Sequence, residues 1–188
     1  MTQSVELLLD DTADAGVRSQ WAALAAAGLP SQARHTGASN RPHVTLAARR
    51  WIDPAVEPAL VSAVGGLPLP VRLGSAALFG SGPYVLVRLV VPTRALLDLQ
   101  AAVRDLLGPD RTTDTHFAPG AWTPHVTLAR RLAAEQVPAA LDVLGGGRDL
   151  DARLVSCRRW DGDARREWRL RRPDQQHPPA EGSQGPRP

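Results

Sequence analysis

The chain contains no lysine: all 22 of its basic residues are arginine, set against 19 acids in 188 residues. A complete absence of lysine points to a coding bias toward arginine rather than to selection for nucleic-acid binding. The net charge of +3 and isoelectric point of about 10.3 therefore lend an anionic ligand only modest weight, even though arginine's planar fork suits phosphate well. Cysteine is almost as scarce. Cys157 alone excludes an internal disulfide and a thiolate zinc cluster, and fits a reducing compartment. No apolar run is long enough to cross a bilayer. The opening stretch MTQSVELLLDDTADAG has no basic leader and is interrupted by acids, so neither a secretory signal nor a membrane contact is expected, and the cytoplasm is the expected location. Hydrophobic residues make up 43% of the chain, enough to bury one sizeable core.

What the sequence does have is an internal echo. RPHVTLAARR begins at Arg41 and TPHVTLARRL at Thr123, so the string Pro-His-Val-Thr-Leu-Ala occurs twice, nearly half the chain apart, and takes up two of the five histidines. The echo extends on both sides. SVELLLDD matches YVLVRLVVP as a short apolar strand, and each is followed by a helical pattern. In the first helix Val17, Trp21 and Leu24 share a face. In the second, Thr93 is the expected cap, and Leu96, Leu99, Val103, Leu106 and Leu107 form the stripe. After each repeated string comes another helix. The first has Asp53 as cap and Pro54 at its first position; the second has Val137, Leu141 and Leu144 facing inward. VRLGSAALFG and ARLVSCRRWDG close the two units as strands, and REWRLRR adds a last one.

Each unit thus reads β-α-β-α-β. The expected fold is α+β: two pseudo-symmetric lobes, each an antiparallel sheet with two helices, flanking a central cleft. The expected folded domain covers residues 1–172, with pseudo-repeats at about 1–80 and 81–172. Residues 173–188, rich in proline and polar groups, are expected to form a disordered tail.

Side chains alternate along a strand, so His43 and Thr45 share one face while Val44 and Leu46 take the other, and His125 and Thr127 likewise oppose Val126 and Leu128. The aliphatic face packs on helices, leaving two His/Thr pairs to face each other across a cleft. Two imidazoles suit phosphodiester chemistry: one takes a proton from the attacking oxygen, the other gives one to the leaving oxygen. Their ordinary pKa of about 6.5 populates both forms near neutrality. Threonine hydroxyls can donate to the phosphate oxygens, where charge accumulates.

Duplicated H-x-T motifs in matching half-chains resemble the two-histidine (2H) phosphoesterase superfamily, and within it the bacterial 2'-5' RNA ligase or RNA 2',3'-cyclic phosphodiesterase branch. The resemblance covers nearly the whole expected domain. It implies that His43 and His125 are catalytic and that Thr45 and Thr127 hold the phosphate. It further implies hydrolysis of a 2',3'-cyclic phosphate on an RNA end or nucleotide, with 2'-5' ligation as a reverse activity, and no metal or cofactor. By the same resemblance His125 is the base and His43 the acid, although the near symmetry of the motifs leaves that assignment open. Trp122, three residues before His125, and Phe79 stand where the family often keeps aromatics, which implies that both contact substrate, Phe79 by stacking on a base, and Arg130 ends the second motif as a phosphate contact. Ala48 departs from the phenylalanine common in that branch.

Each of these residues also has a plainer reading. Strict alternation puts Arg130 on the aliphatic face unless the strand bulges. Trp122 and Phe79 read equally as packing residues, and threonine favours strands for local reasons. His35, His116 and His177 receive no role. The arginine pairs starting at 158, 165 and 171 are expected in solvent. A zinc site built on the two histidines lacks further ligands, and no G-x-S-x-G elbow is present for a serine hydrolase. The reading from a different class is a non-catalytic nucleotide- or RNA-binding module. A monomer is expected, since no long apolar helix face is left over.

Overall fold

The computed structural model describes residues 2–109, 115–118, 120–145 and 148–171; the expected tail lies outside them. It contains β1 (Gln3–Leu9), α1 (Asp11–Ala26), β2 (His43–Arg49), α2 (Glu57–Ala63), β3 (Leu69–Phe79), β4 (Tyr84–Val90), α3 (Arg94–Leu107), β5 (His125–Leu132), α4 (Val137–Val143), β6 (Leu150–Asp161) and β7 (Arg166–Arg169). This is the expected α+β order of strands and helices, twice over.

The long helices begin where the sequence signals them. Asp10 caps α1 by accepting from the Ala13 amide at 3.0 Å, and Thr93 caps α3 by accepting from Leu96 at 3.2 Å. Ala13, Val17, Trp21 and Leu24 form the buried face of α1, each large apolar side chain contributing roughly 1.5–3 kcal/mol on burial. Asp53 caps as expected, but the turn it starts, Pro54–Val56, is 3-10 and passes into α2. Two helical faces differ from expectation. Leu106 on α3 is exposed while Gln100 is buried, and Leu141 on α4 is exposed while Ala140 is buried. On α4 the stripe runs Val137, Ala140, Leu144, at spacings of three and four, so a small residue in the middle of the face misled the eye.

All seven strands join one antiparallel sheet instead of two separate ones. The path is β2-β1-β6-β3-β4-β5, with β7 on the edge of β6 beyond β3. Each half-chain contributes its first two strands to one end of the path, while its third strand crosses over: β3 pairs with β4 of the second half, and β6 with β1 of the first. The two third strands pair with each other at the centre. The halves are therefore interlocked, and the end strands β2 and β5 come into contact. Helices follow the same exchange, with α1 packing against β5 and α3 against β2.

The pair Arg158–Arg159, expected in solvent, is buried: the two side chains are 4% and 1% exposed. Strand parity sends them to opposite faces of β6, and each finds acids there. Arg159 donates to Glu57 and Gln3 on the helix side, and Arg158 donates to Glu6 on the other. Such partners stabilise buried guanidinium groups, because an unpaired buried charge costs several kcal/mol. Arg165, Arg166 and Arg171 are exposed, as expected.

Candidate functional site

β2 and β5 begin at the two histidines, and both strands alternate as expected through the first four residues: His and Thr half-buried, Val and Leu fully buried. Both then bulge at the same point. Across β1 and β2, Glu6 faces Thr45 but Val5 faces Ala47, so Leu46 is an extra residue; across β4 and β5, Val87 faces Thr127 but Leu86 faces Ala129, so Leu128 is extra. A bulge reverses the parity of everything after it. Ala48 and Arg130 therefore swing onto the His/Thr face, and both line the cleft that holds His43, Thr45 and His125. The doubt that alternation cast on Arg130 is resolved by these bulges.

The bulges free backbone carbonyls that must find donors. Trp21 of α1 donates its indole N–H to the Thr127 carbonyl at 3.0 Å, and Gln100 of α3 donates to the Leu46 carbonyl at 3.3 Å. Trp122 donates to the Thr45 carbonyl at 3.1 Å. Every one of these bonds joins one half-chain to the motif strand of the other. Trp122 lines a separate groove of about 800 Å³ along α3, and its indole braces β2.

The histidine cleft has a volume of about 1270 Å³. Both rings are held alike. Nδ1 of His43 lies 2.7 Å from the Arg41 carbonyl and Nδ1 of His125 lies 2.8 Å from the Thr123 carbonyl. A carbonyl only accepts, so Nδ1 carries the hydrogen in each ring and Nε2 is the nitrogen left for chemistry. Thr127 is half-buried on the same face of β5 as His125. Phe79 packs edge-on against the His125 ring, with centroids 4.8 Å apart and planes at 90°.

Surroundings separate the two imidazoles. Burial pushes the His125 pKa below its ordinary 6.5; the hydrogen bond to the Thr123 carbonyl opposes this, while His43 and Arg130 add to it. On the other side, Nε2 of His43 lies 3.7 Å from Oε1 of Glu6. Burial alone would raise the Glu6 carboxyl, but His43, Arg158 and the hydrogen bonds from Ser4 and Arg158 outweigh it and hold it below its ordinary value. Glu6 and Arg158 escaped sequence reading, although a lone acid within the apolar run SVELLL was a signal of something built. His35 also lines the cleft, as do Arg34, Arg41, Arg165 and Arg166. His116 is exposed in the Thr115–Phe117 turn, and His177 lies outside the described residues. Among the described residues no helix is long and apolar enough to cross a membrane, and no cluster of three or more His, Cys, Asp or Glu could hold a metal ion.

The family model of the 2'-5' RNA ligase superfamily matches residues 17–164. Among solved structures, Escherichia coli LigT in apo form aligns over 90% of this chain and 94% of its own, with 19% identity and a TM-score of 0.51. Kluyveromyces marxianus Usb1 with uridine monophosphate aligns over 90% and 98%, with 12% identity and a TM-score of 0.52. E. coli LigT complexed with 3'-AMP aligns over 89% and 92%, with 17% identity and a TM-score of 0.50. At these identities the likeness is one of fold. No curated protein sequence matches the chain.

Proposed function

The chain belongs to the 2'-5' RNA ligase superfamily of two-histidine phosphoesterases, and from that membership we propose that it is a phosphodiesterase that opens 2',3'-cyclic phosphates on RNA ends or nucleotides. The observation that carries the reading is the matched pair of Nδ1 contacts, to the carbonyls of Arg41 and Thr123, which present both Nε2 atoms for proton transfer.

In the proposed reaction His125 is the base. Its lowered pKa favours the neutral ring, whose Nε2 takes a proton from water as the water oxygen bonds to phosphorus. His43 is the acid. Its Nε2 faces the Glu6 carboxylate, a partner that stabilises the charged ring, and it gives its proton to the ribose oxygen as the bond from phosphorus to that oxygen breaks. The product is a phosphomonoester. Protons lost and gained balance between the two rings, so the step calls on no metal or cofactor, and the same ring opening with a ribose 5'-hydroxyl in place of water, the bond from phosphorus to the 3'-oxygen breaking, is 2'-5' ligation. Thr45, Thr127 and Arg130 are assigned to the phosphate oxygens, where preorganised donors act on the developing charge. Phe79 is assigned to holding the His125 ring and to stacking on a base. Nucleotide complexes of LigT and Usb1 support a nucleotide or RNA end as the ligand. We further assign the protein to the cytoplasm as a monomer.

The test is product formation from 2',3'-cyclic AMP in the presence of EDTA. Turnover that collapses in both His43→Ala and His125→Ala supports the reading. Equal rates in wild type and the double variant refute it, and tight binding of a phosphorylated end without product assigns the cleft to a binding module.

A further inference from the structure

The pseudo-twofold register allows the floor under the two histidines to be compared position by position. Glu6 faces Thr45 across β1 and β2, just as Val87 faces Thr127 across β4 and β5. Arg158 pairs with Glu6 across β1 and β6, just as Ala77 pairs with Val87 across β3 and β4. The motifs are identical, but one rests on a buried ion pair and the other on two aliphatic side chains.

The ion pair is fixed. Glu6 accepts from Arg158 Nε at 2.8 Å and from Ser4 Oγ at 2.6 Å, with the acid and the guanidinium 6% and 4% exposed. Arg158 also donates to the Ser39 carbonyl at 2.9 Å and contacts Glu167 of β7. One guanidinium thus serves two carboxylates. A buried ion pair of this kind is often no better for stability than aliphatic residues of similar volume, and the other half of this molecule has such residues at the same positions. Its retention on one side alone calls for another reason.

We propose that Glu6 is a positioning residue for His43: its carboxylate, held by Arg158 and Ser4, stabilises the protonated ring and makes His43 rather than His125 the proton donor. This rests on the two-histidine reading above and adds the element that breaks its symmetry. The other charged groups facing His43 are Arg158 and Glu167 from the sheet, Arg41 two residues upstream, and His125 and Arg130 of β5, along with His35, Arg34, Arg165 and Arg166 around the cleft. Glu6 is the acid nearest to Nε2 among the contacts described.

The test uses Glu6→Gln and the double variant Glu6→Val, Arg158→Ala, which copies the aliphatic floor and removes both charges of the ion pair together. Two readouts are taken: histidine ring signals by NMR across pH, and the pH profile of kcat on 2',3'-cyclic AMP. The expected result is that the His43 ring releases its proton at lower pH in both variants than in wild type, with His125 moving less. The alkaline limb of the kcat profile moves the same way while the acid limb and KM stay in place. An unmoved His43 titration and alkaline limb in folded variants overturns the proposal. So does failure of both variants to fold, which assigns Glu6 a structural role. If the wild-type protein turns over no cyclic phosphate, the proposed function fails, and the ring titration still decides the effect of Glu6.

Discussion

At the scale of single residues, the two histidines carry the same motif in different surroundings, His125 against the Phe79 ring and His43 with its Nε2 3.7 Å from the Glu6 carboxylate. His43 and His125 stood out because the same string surrounds both. Glu6 and Arg158 occur in one half only, and a sequence cannot announce that a strand acid and a distant arginine will meet. Arg130 was readable as a residue type, but its face was not, because the bulges that turn it come from pairing with other strands. With the His125 pKa below 6.5, a base that must be neutral stays competent into mildly acidic solution, so the acid limb of the kcat/KM profile lies below 6.5; an acid limb above 6.5 contradicts His125 as the base. For Arg130→Ala, loss of a charged phosphate donor is expected to lower kcat/KM on 2',3'-cyclic AMP roughly ten- to hundredfold, corresponding to about 1.5–3 kcal/mol. A change of less than threefold removes Arg130 from the phosphate.

At the scale of elements, periodicity located the strands and helices, and the caps Asp53 and Thr93 marked helix starts. The errors at Leu106 and Leu141 have one cause. A buried glutamine on α3 and a buried alanine on α4 hold inward positions while a leucine of the same helix stays in water, and a pattern of large apolar residues does not register that. The side-chain braces across the halves were also hidden, since nothing in the sequence says which carbonyl the indole N–H of Trp21 or Trp122 will reach. Replacing either by phenylalanine keeps most of the ring contact but leaves a bulge carbonyl without its donor. Each is expected to destabilise the protein by about 1–3 kcal/mol in urea unfolding. A change within about 0.3 kcal/mol would mean the indole bonds add nothing.

At the scale of the whole molecule, the internal repeat was plain and the manner of its assembly was not. A hydrophobic pattern says that a strand has a buried face; it does not say which strand will lie beside it. Here the third strands cross over, so neither half-chain has a complete sheet of its own. One cooperative transition is therefore expected in calorimetry, with van't Hoff and calorimetric enthalpies equal. Two resolved transitions would contradict the interlocked architecture.

The central claim is that both histidines act, one as base and one as acid, on a cyclic phosphodiester. Its most direct test is turnover of 2',3'-cyclic AMP and of an RNA with a 2',3'-cyclic end, in EDTA, by wild type, His43→Ala and His125→Ala. The account predicts wild-type turnover that persists in chelator and falls by about 10²–10⁴ in each variant, the range that general acid–base catalysis contributes. Turnover unchanged in either single variant, or abolished in wild type by chelator alone, would contradict it.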